Sequence, residues 1–252
     1  MKPPLRIAIL ECDTPMDQTR AKYGGYGGVF KALLSTAADA LEQPDLMSST
    51  KGLELSAFDV VGEQQYPELD EIDAVLLTGS RHNSFDDTPW ILKLVEFTKK
   101  LLAQNRVRII GVCFGHQIIG RALGVPVGRS DDGWEVSVLP VELTRKGKEL
   151  FQQDTLSLHQ MHRDVVHEYP EGVEKLGASP RCLVQGMYVK GKYITVQGHP
   201  EFTQQIVTEL VTTRHSQGIF NDEQYRDAIE RVGNPHDGVA VAKGFLRFVL
   251  ED

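Results

Sequence analysis

Residues 111–124 read GVCFGHQIIGRALG, with Cys113 set between Gly111 and Gly115, directly after an apolar run and directly before a helical pattern. The run Val107–Val112 lacks alternation and suits a strand buried on both faces, while Phe114–Leu123 has helical spacing. A G-x-C-x-G pattern in that context is a nucleophile elbow with cysteine in place of serine. A sharp strand-to-helix turn strains the nucleophile's backbone, and neighbours without Cβ let the chain pass closely while the sulfur stays open. A thiol there meets the positive end of the helix dipole, which favours the reactive thiolate, and the N–H of Phe114 is placed to hold an oxyanion. A lone cysteine is otherwise most often a small buried hydrophobe. Strand, glycines and helix together favour a catalytic Cys113.

Further short apolar runs at Ile7–Leu10, Ala74–Leu77 and Tyr193–Val196 read as additional parallel strands. Helical segments lie between them at Gly28–Leu41 and Pro89–Gln104; the proline suits a first turn, and Asp87 or Thr88 can cap it. Strand, helix, strand in this order predicts βαβ units and a doubly wound, mostly parallel α/β sheet. WEVSVLPVELT (134–144) alternates and predicts a more exposed antiparallel strand, as does CLVQGMYVKGKYITVQ (182–197), with Lys190-Gly191-Lys192 as a hairpin tip. The polar stretch Gln43–Lys51 predicts a loop. After Glu201 the chain reads helical, with apolar spacing at Ile206, Val207, Leu210 and Val211 and again at Val239, Val241, Phe245 and Phe248. Residues 1–252 are expected to form one domain, with a core over about 5–217 and a helical C-terminal extension over 218–252.

A nucleophile needs a base, and the base an orienting group. His199, in VQGHPEF, ends the Tyr193–Val196 run and has Glu201 two residues on. On an extended segment such a pair shares one face, so the carboxylate can hold the ring's tautomer and stabilise the imidazolium. His116 and His159 are the alternative bases. LLTGSRHN ends another buried strand, and its Gly79 can supply a second oxyanion donor. In HQMHRD (159–164) two histidines precede Asp164, but no third ligand pattern follows, so no metal is expected. YGGYGG (23–28) lacks the lysine of a P-loop and does not match GxGxxG, so it reads as a turn at the site rim or a helix lead-in, and no cofactor is expected.

Composition fits this picture. Hydrophobic residues make up 41% and charged residues 25% of the 252, as in ordinary globular proteins. A net charge of -8 without clustered Lys and Arg argues against nucleic-acid binding. Three cysteines without a CxxC pair indicate neither a disulfide framework nor a cysteine zinc site. LRIAIL is too short for a signal or membrane segment, so no membrane association and a reducing, cytoplasmic compartment are expected.

These residues resemble the class I glutamine amidotransferases, whose site is a Cys-His-Glu triad. Gly111-Val112-Cys113-Phe114-Gly115-His116-Gln117 matches the elbow motif, Gln197-Gly198-His199-Pro200-Glu201-Phe202 the His-x-Glu motif, and Thr78-Gly79-Ser80 the oxyanion loop, over about residues 5–217. The branch it looks most like holds the glutaminase half of GMP synthetase and the plant gamma-glutamyl peptidases. The resemblance implies a flavodoxin-like sheet, Cys113, His199 and Glu201 as triad, and Gln117 with the Arg163-Asp164 stretch against substrate. One departure is Arg163, where family glutaminases commonly carry a His-Gly-Asp-like stretch. The implied reaction is hydrolysis of a gamma-glutamyl amide through a thioester, by a stand-alone enzyme acting on glutathione-like compounds. Two alternatives stay open: a glutaminase subunit passing ammonia to a separate synthase partner, since the chain has no ATP-pyrophosphatase signature, and a non-catalytic binding or stress protein on the same fold.

Overall fold

The computed structural model describes residues 1–251. Its frame is a nine-stranded sheet in the order β2-β1-β3-β4-β11-β10-β9-β6-β7. The strands β1 (Leu5–Glu11), β2 (Leu53–Asp59), β3 (Ala74–Leu77), β4 (Arg108–Val112) and β11 (Tyr193–Val196) pair in parallel. An antiparallel extension follows: β10 (Cys182–Val189), β9 (Glu174–Ser179), β6 (Glu135–Leu143) and β7 (Leu156–His162). A separate ribbon joins β5 (Val127–Arg129) to β8 (Asp164–Val166).

The parallel strands feed two cores from alternate side chains. Ile7, Ile9, Leu76, Ile110 and Val112 face α2 (Tyr26–Asp39) and α8 (Gly238–Leu250). Ala8, Leu10, Val75, Leu77 and Ile109 face α3 (Pro89–Ala103) and α4 (Phe114–Ala122). Burial on both faces is why these runs show no alternation. The sheet is doubly wound, as the strand-helix order predicts. Pro89 opens α3 behind Thr88, although no side chain caps that end.

Two strand expectations need correction. The first half of β6 is buried, not exposed, because α7 (Asp222–Arg231) lies on it and the Arg231 guanidinium donates to the Val136 and Val138 carbonyls at 2.8 and 3.0 Å. β10 is likewise mostly buried, although its hairpin to β11 turns through Lys190–Lys192 with Gly191 at φ 69°. After Glu201 the chain is helical as expected, in α6 (Gln204–Ser216), α7 and α8. α8 is embedded: Val241, Phe245, Phe248 and Val249 are fully buried against α2 and the sheet, and the Arg108 guanidinium holds the carbonyls of Phe248 and Glu251 at its end.

Candidate active site

β4 ends at Val112, and Cys113 turns the chain at φ 51°, ψ −103° before α4 begins. Positive φ at a non-glycine residue is costly and persists only where the surroundings fix it. Here the Cys113 N–H donates to the Val196 carbonyl of β11 at 2.9 Å, and its carbonyl accepts from Gln117 at 3.0 Å. Gly115 runs so close to β3 that a Cβ on it would stand 2.6 Å from the Leu77 Cβ. Cys113 is only 4% exposed but lines a cavity of about 650 Å³ beyond the carboxyl ends of the parallel strands.

β11 lies beside β4 and brings His199 to the same cavity. The chain does not stay extended there: His199 makes one antiparallel bridge to His159 of β7, its N–H donating to the His159 carbonyl at 2.8 Å, and Pro200–Glu201 then turns. The turn folds the Glu201 carboxylate back onto the ring, where Oε1 accepts from His199 Nδ1 at 2.8 Å. Phe202 stacks on the imidazole with centroids 3.9 Å apart and planes 4° from parallel. With Nδ1 committed to Glu201, Nε2 is left for the hydrogen bond to Cys113. Burial by itself pushes His199 down, but the charge of Cys113, the charge of Glu201 and a hydrogen bond to each overcome it and raise the imidazole to about 10. Burial pushes the Cys12 and Cys182 thiols up, Cys12 to about 12, so neither competes as a nucleophile.

Gly79 closes the third side. A Cβ there would stand 2.7 Å from His199 Cε1 and 3.7 Å from Cys113 Cβ, so only glycine leaves the ring in place. Gly79 lies past the last paired residue of β3, and Phe114 is the first residue of α4, so neither N–H is consumed by sheet or helix. Thr78 fixes the loop: its N–H donates to Leu10 and its Oγ1 accepts from Cys12 N at 2.9 Å.

The three remaining expected residues line the cavity with different degrees of freedom. Gln117 is committed to the protein: Oε1 accepts from Ser84 at 2.9 Å, and Nε2 donates to the Asp164 carbonyl at 2.8 Å and to Gln197 at 3.1 Å. The Asp164 carboxylate pairs with Arg129 at 2.6 Å, and Arg129 also donates to Asn83 at 2.9 Å. The Arg163 guanidinium lies 5.1 Å from the Trp134 ring centroid. The alternative bases are elsewhere: His116 binds Thr195 Oγ1 at 2.8 Å beneath the elbow, and His159 packs on His236 at 4.7 Å. Burial pushes both imidazoles down to about 3. In YGGYGG, Gly24 and Gly25 join α1 (Asp17–Tyr23) to α2, and Tyr26 reaches the cavity wall.

His162 Nε2 lies 3.1 Å from Glu135 Oε2, and the two fall with Cys182 within 4.8 Å, the one such grouping of metal-type donors among the described residues. Glu135 Oε2 also accepts from Gln185 at 2.9 Å. Sequence reasoning missed Trp134 and Arg214, which also line the cavity. Arg214 falls in the last turn of an amphipathic helix, where a basic residue reads as an ordinary helix end.

This is an α/β protein with an elbow cysteine, a carboxylate-oriented histidine and a glycine loop at the carboxyl edge of its sheet. A family model for class-I glutamine amidotransferases matches residues 47–213. A glutamine amidotransferase-like protein of Schizosaccharomyces pombe is 35% identical over 247 residues, covering 97% of this chain and 98% of the relative. Gamma-glutamyl peptidase 2 of Arabidopsis thaliana is 30% identical, covering 90% and 89%. Among solved structures, a glutamine amidotransferase from Thermotoga maritima shares the fold with a TM-score of 0.67 at 19% identity, over 98% of this chain and 96% of that one. The chain therefore belongs to the class-I glutamine amidotransferase family. No helix among the described residues is long and apolar enough to cross a membrane.

Proposed function

We propose that the protein hydrolyses gamma-glutamyl amide bonds through a gamma-glutamyl thioester on Cys113, as a stand-alone enzyme acting on small gamma-glutamyl compounds. The observation that carries this reading is that Cys113 and His199 meet at one cavity, with the buried Glu201 carboxylate 2.8 Å from the far side of the His199 ring. In the resting pair His199 is the cation, so Cys113 attacks the gamma carbonyl without first losing a proton to solvent. The oxyanion is held by the N–H groups of Gly79 and Phe114. His199 then protonates the departing nitrogen and, now neutral, takes a proton from the water that opens the thioester, releasing glutamate and restoring the thiolate of Cys113 beside the protonated imidazole. Glu201 holds the tautomer throughout.

The same steps on glutamine release ammonia. That second reading, with a separate synthase as acceptor, is supported by the family's name; the stand-alone reading is supported by relatives named gamma-glutamyl peptidases at similar identity. Purified protein incubated with glutamine, glutathione and gamma-glutamyl dipeptides, beside Cys113→Ala, separates them by mass spectrometry of the products. Peptide cleavage by the chain alone, lost in Cys113→Ala, is expected. Negligible peptide cleavage with glutamine turnover that rises on adding a synthase favours the subunit, and product formation undiminished in Cys113→Ala overturns the mechanism.

A further inference from the structure

The cavity beside Cys113 has two regions of different electrostatic character. On the β5–β8 side, Asp164 and Arg129 form a neutral pair 2.6 Å apart. On the α6 side, Arg163 and Arg214 both sit over Trp134, at 5.1 and 4.8 Å from its centroid, and neither guanidinium makes an ion pair or a side-chain hydrogen bond among the described residues. Arg214 Nη1 is buried without any acceptor. Asp13, an acid that also lines the cavity, is already paired with Arg81 at 2.8 Å. Two guanidinium groups without a side-chain partner thus line one wall of a cavity in a protein whose net charge is -8.

Leaving a buried guanidinium donor unmet is expensive unless something supplies the acceptor. Burial pushes Arg214 down and Arg163 adds a like charge to that effect, while the charges of Cys113 and Tyr26 act the other way. The platform under them is rigid: Trp134 packs edge-on against Phe220 at 5.1 Å, and its carbonyl accepts from Arg181 at 2.7 Å. A planar carboxylate matches the guanidinium fork and removes the repulsion.

A gamma-glutamyl group carries an ammonium and a carboxylate on one carbon, and a neutral ion pair such as Asp164–Arg129 suits that zwitterion. The Arg163–Arg214 wall suits an anion with no ammonium beside it. Glutamine has none; a gamma-glutamyl peptide has one, its C-terminal carboxylate on the departing portion. We infer that Arg214, with Arg163, binds the C-terminal carboxylate of the leaving peptide and so selects gamma-glutamyl peptides over glutamine. This rests on the hydrolase reading above and deepens it.

The test is calorimetric binding to Cys113→Ala protein of glutathione, glutathione with its C-terminal carboxylate converted to the amide, and glutamine. The free acid is expected to bind at least about tenfold more tightly than the amide, since a charge-assisted pair is exchanged for a neutral contact. Adding Arg214→Gln abolishes that ratio and leaves glutamine binding unchanged, while Arg214→Lys keeps part of it. Equal binding of acid and amide overturns the inference and requires no Arg214 variant to fold. A parallel fall for glutamine in Arg214→Gln also overturns it, by assigning the guanidinium to the gamma-glutamyl end. Turnover assays on the Cys113 protein keep the two claims apart. Cleavage without acid-amide discrimination sinks the inference alone, and discrimination without any cleavage sinks the hydrolase reading alone.

Discussion

Replacing Cys113 by alanine should lower the titration of His199 by several pH units. In the intact site the imidazole is raised from 6.5 to about 10, against a burial effect that opposes its charge. At 1.36 kcal/mol per unit, that net difference is worth about 5 kcal/mol between the two protonation states, and Cys113 and Glu201 together supply it over and above the opposing effect of burial. Deleting the sulfur removes the largest of the raising interactions and one of the two hydrogen bonds, leaving Glu201 alone against burial. His199 should then titrate near or below 6.5. The linkage sign follows from a folded value above the unfolded one. The intact pair contributes stability fully below about 6.5, and that contribution is lost as the pH rises through about 10. Nitrogen-15 NMR of histidine-labelled protein reads the ring directly, and denaturant midpoints at pH 7 and 10 read the stability. An imidazole in Cys113→Ala still protonated at pH 9 would refute the sulfur as the source of the charge.

Three further outcomes follow from contacts around the site. Gly79→Ala should cut kcat by roughly a hundredfold while leaving the thermal midpoint nearly unchanged, because the new Cβ displaces the His199 ring it would otherwise meet at 2.7 Å; wild-type turnover would disprove the close approach. Glu201→Gln removes the carboxylate 2.8 Å from Nδ1, so turnover should fall by about 10³ to 10⁴ and His199 should titrate lower. Glu209→Ala acts outside the site: its carboxylate accepts from Gln18 N, Thr19 N and Thr19 Oγ1 at 2.7 to 3.1 Å, replacing the cap that Met16 cannot give α1. Its loss should cost about 1 kcal/mol and speed amide exchange across residues 17–23, and unchanged protection there would show that the cap is idle.

The parallel half of the sheet was legible because strands buried on both faces must be apolar throughout, and Ala74–Leu77 and Tyr193–Val196 fall where the hydrophobic runs place them. The antiparallel half was harder. β7 carries His159, Gln160 and His162 inward, and these buried polar side chains break the hydrophobic pattern. β2 is a half-exposed edge strand whose Glu54 and Ser56 interrupt any continuous apolar run. The elbow was readable because its glycines answer to local geometry, and the His199–Glu201 pairing because two residues suffice to bring the groups together, although a turn and not a strand does so. Arg214 and Trp134 were invisible for the opposite reason. They come together only through the packing of α6 against the start of β6, far apart in the chain.

The central claim is that the Cys113 sulfur, activated by His199, takes up the gamma-glutamyl group. Rapid acid quenching of the protein turning over a gamma-glutamyl peptide, followed by intact mass and peptide mapping, tests it directly. The account predicts a mass gain of one glutamyl group, located on the peptide bearing Cys113 and absent from His199→Asn. An adduct on any other residue, or brisk turnover in Cys113→Ala with no adduct anywhere, would contradict it.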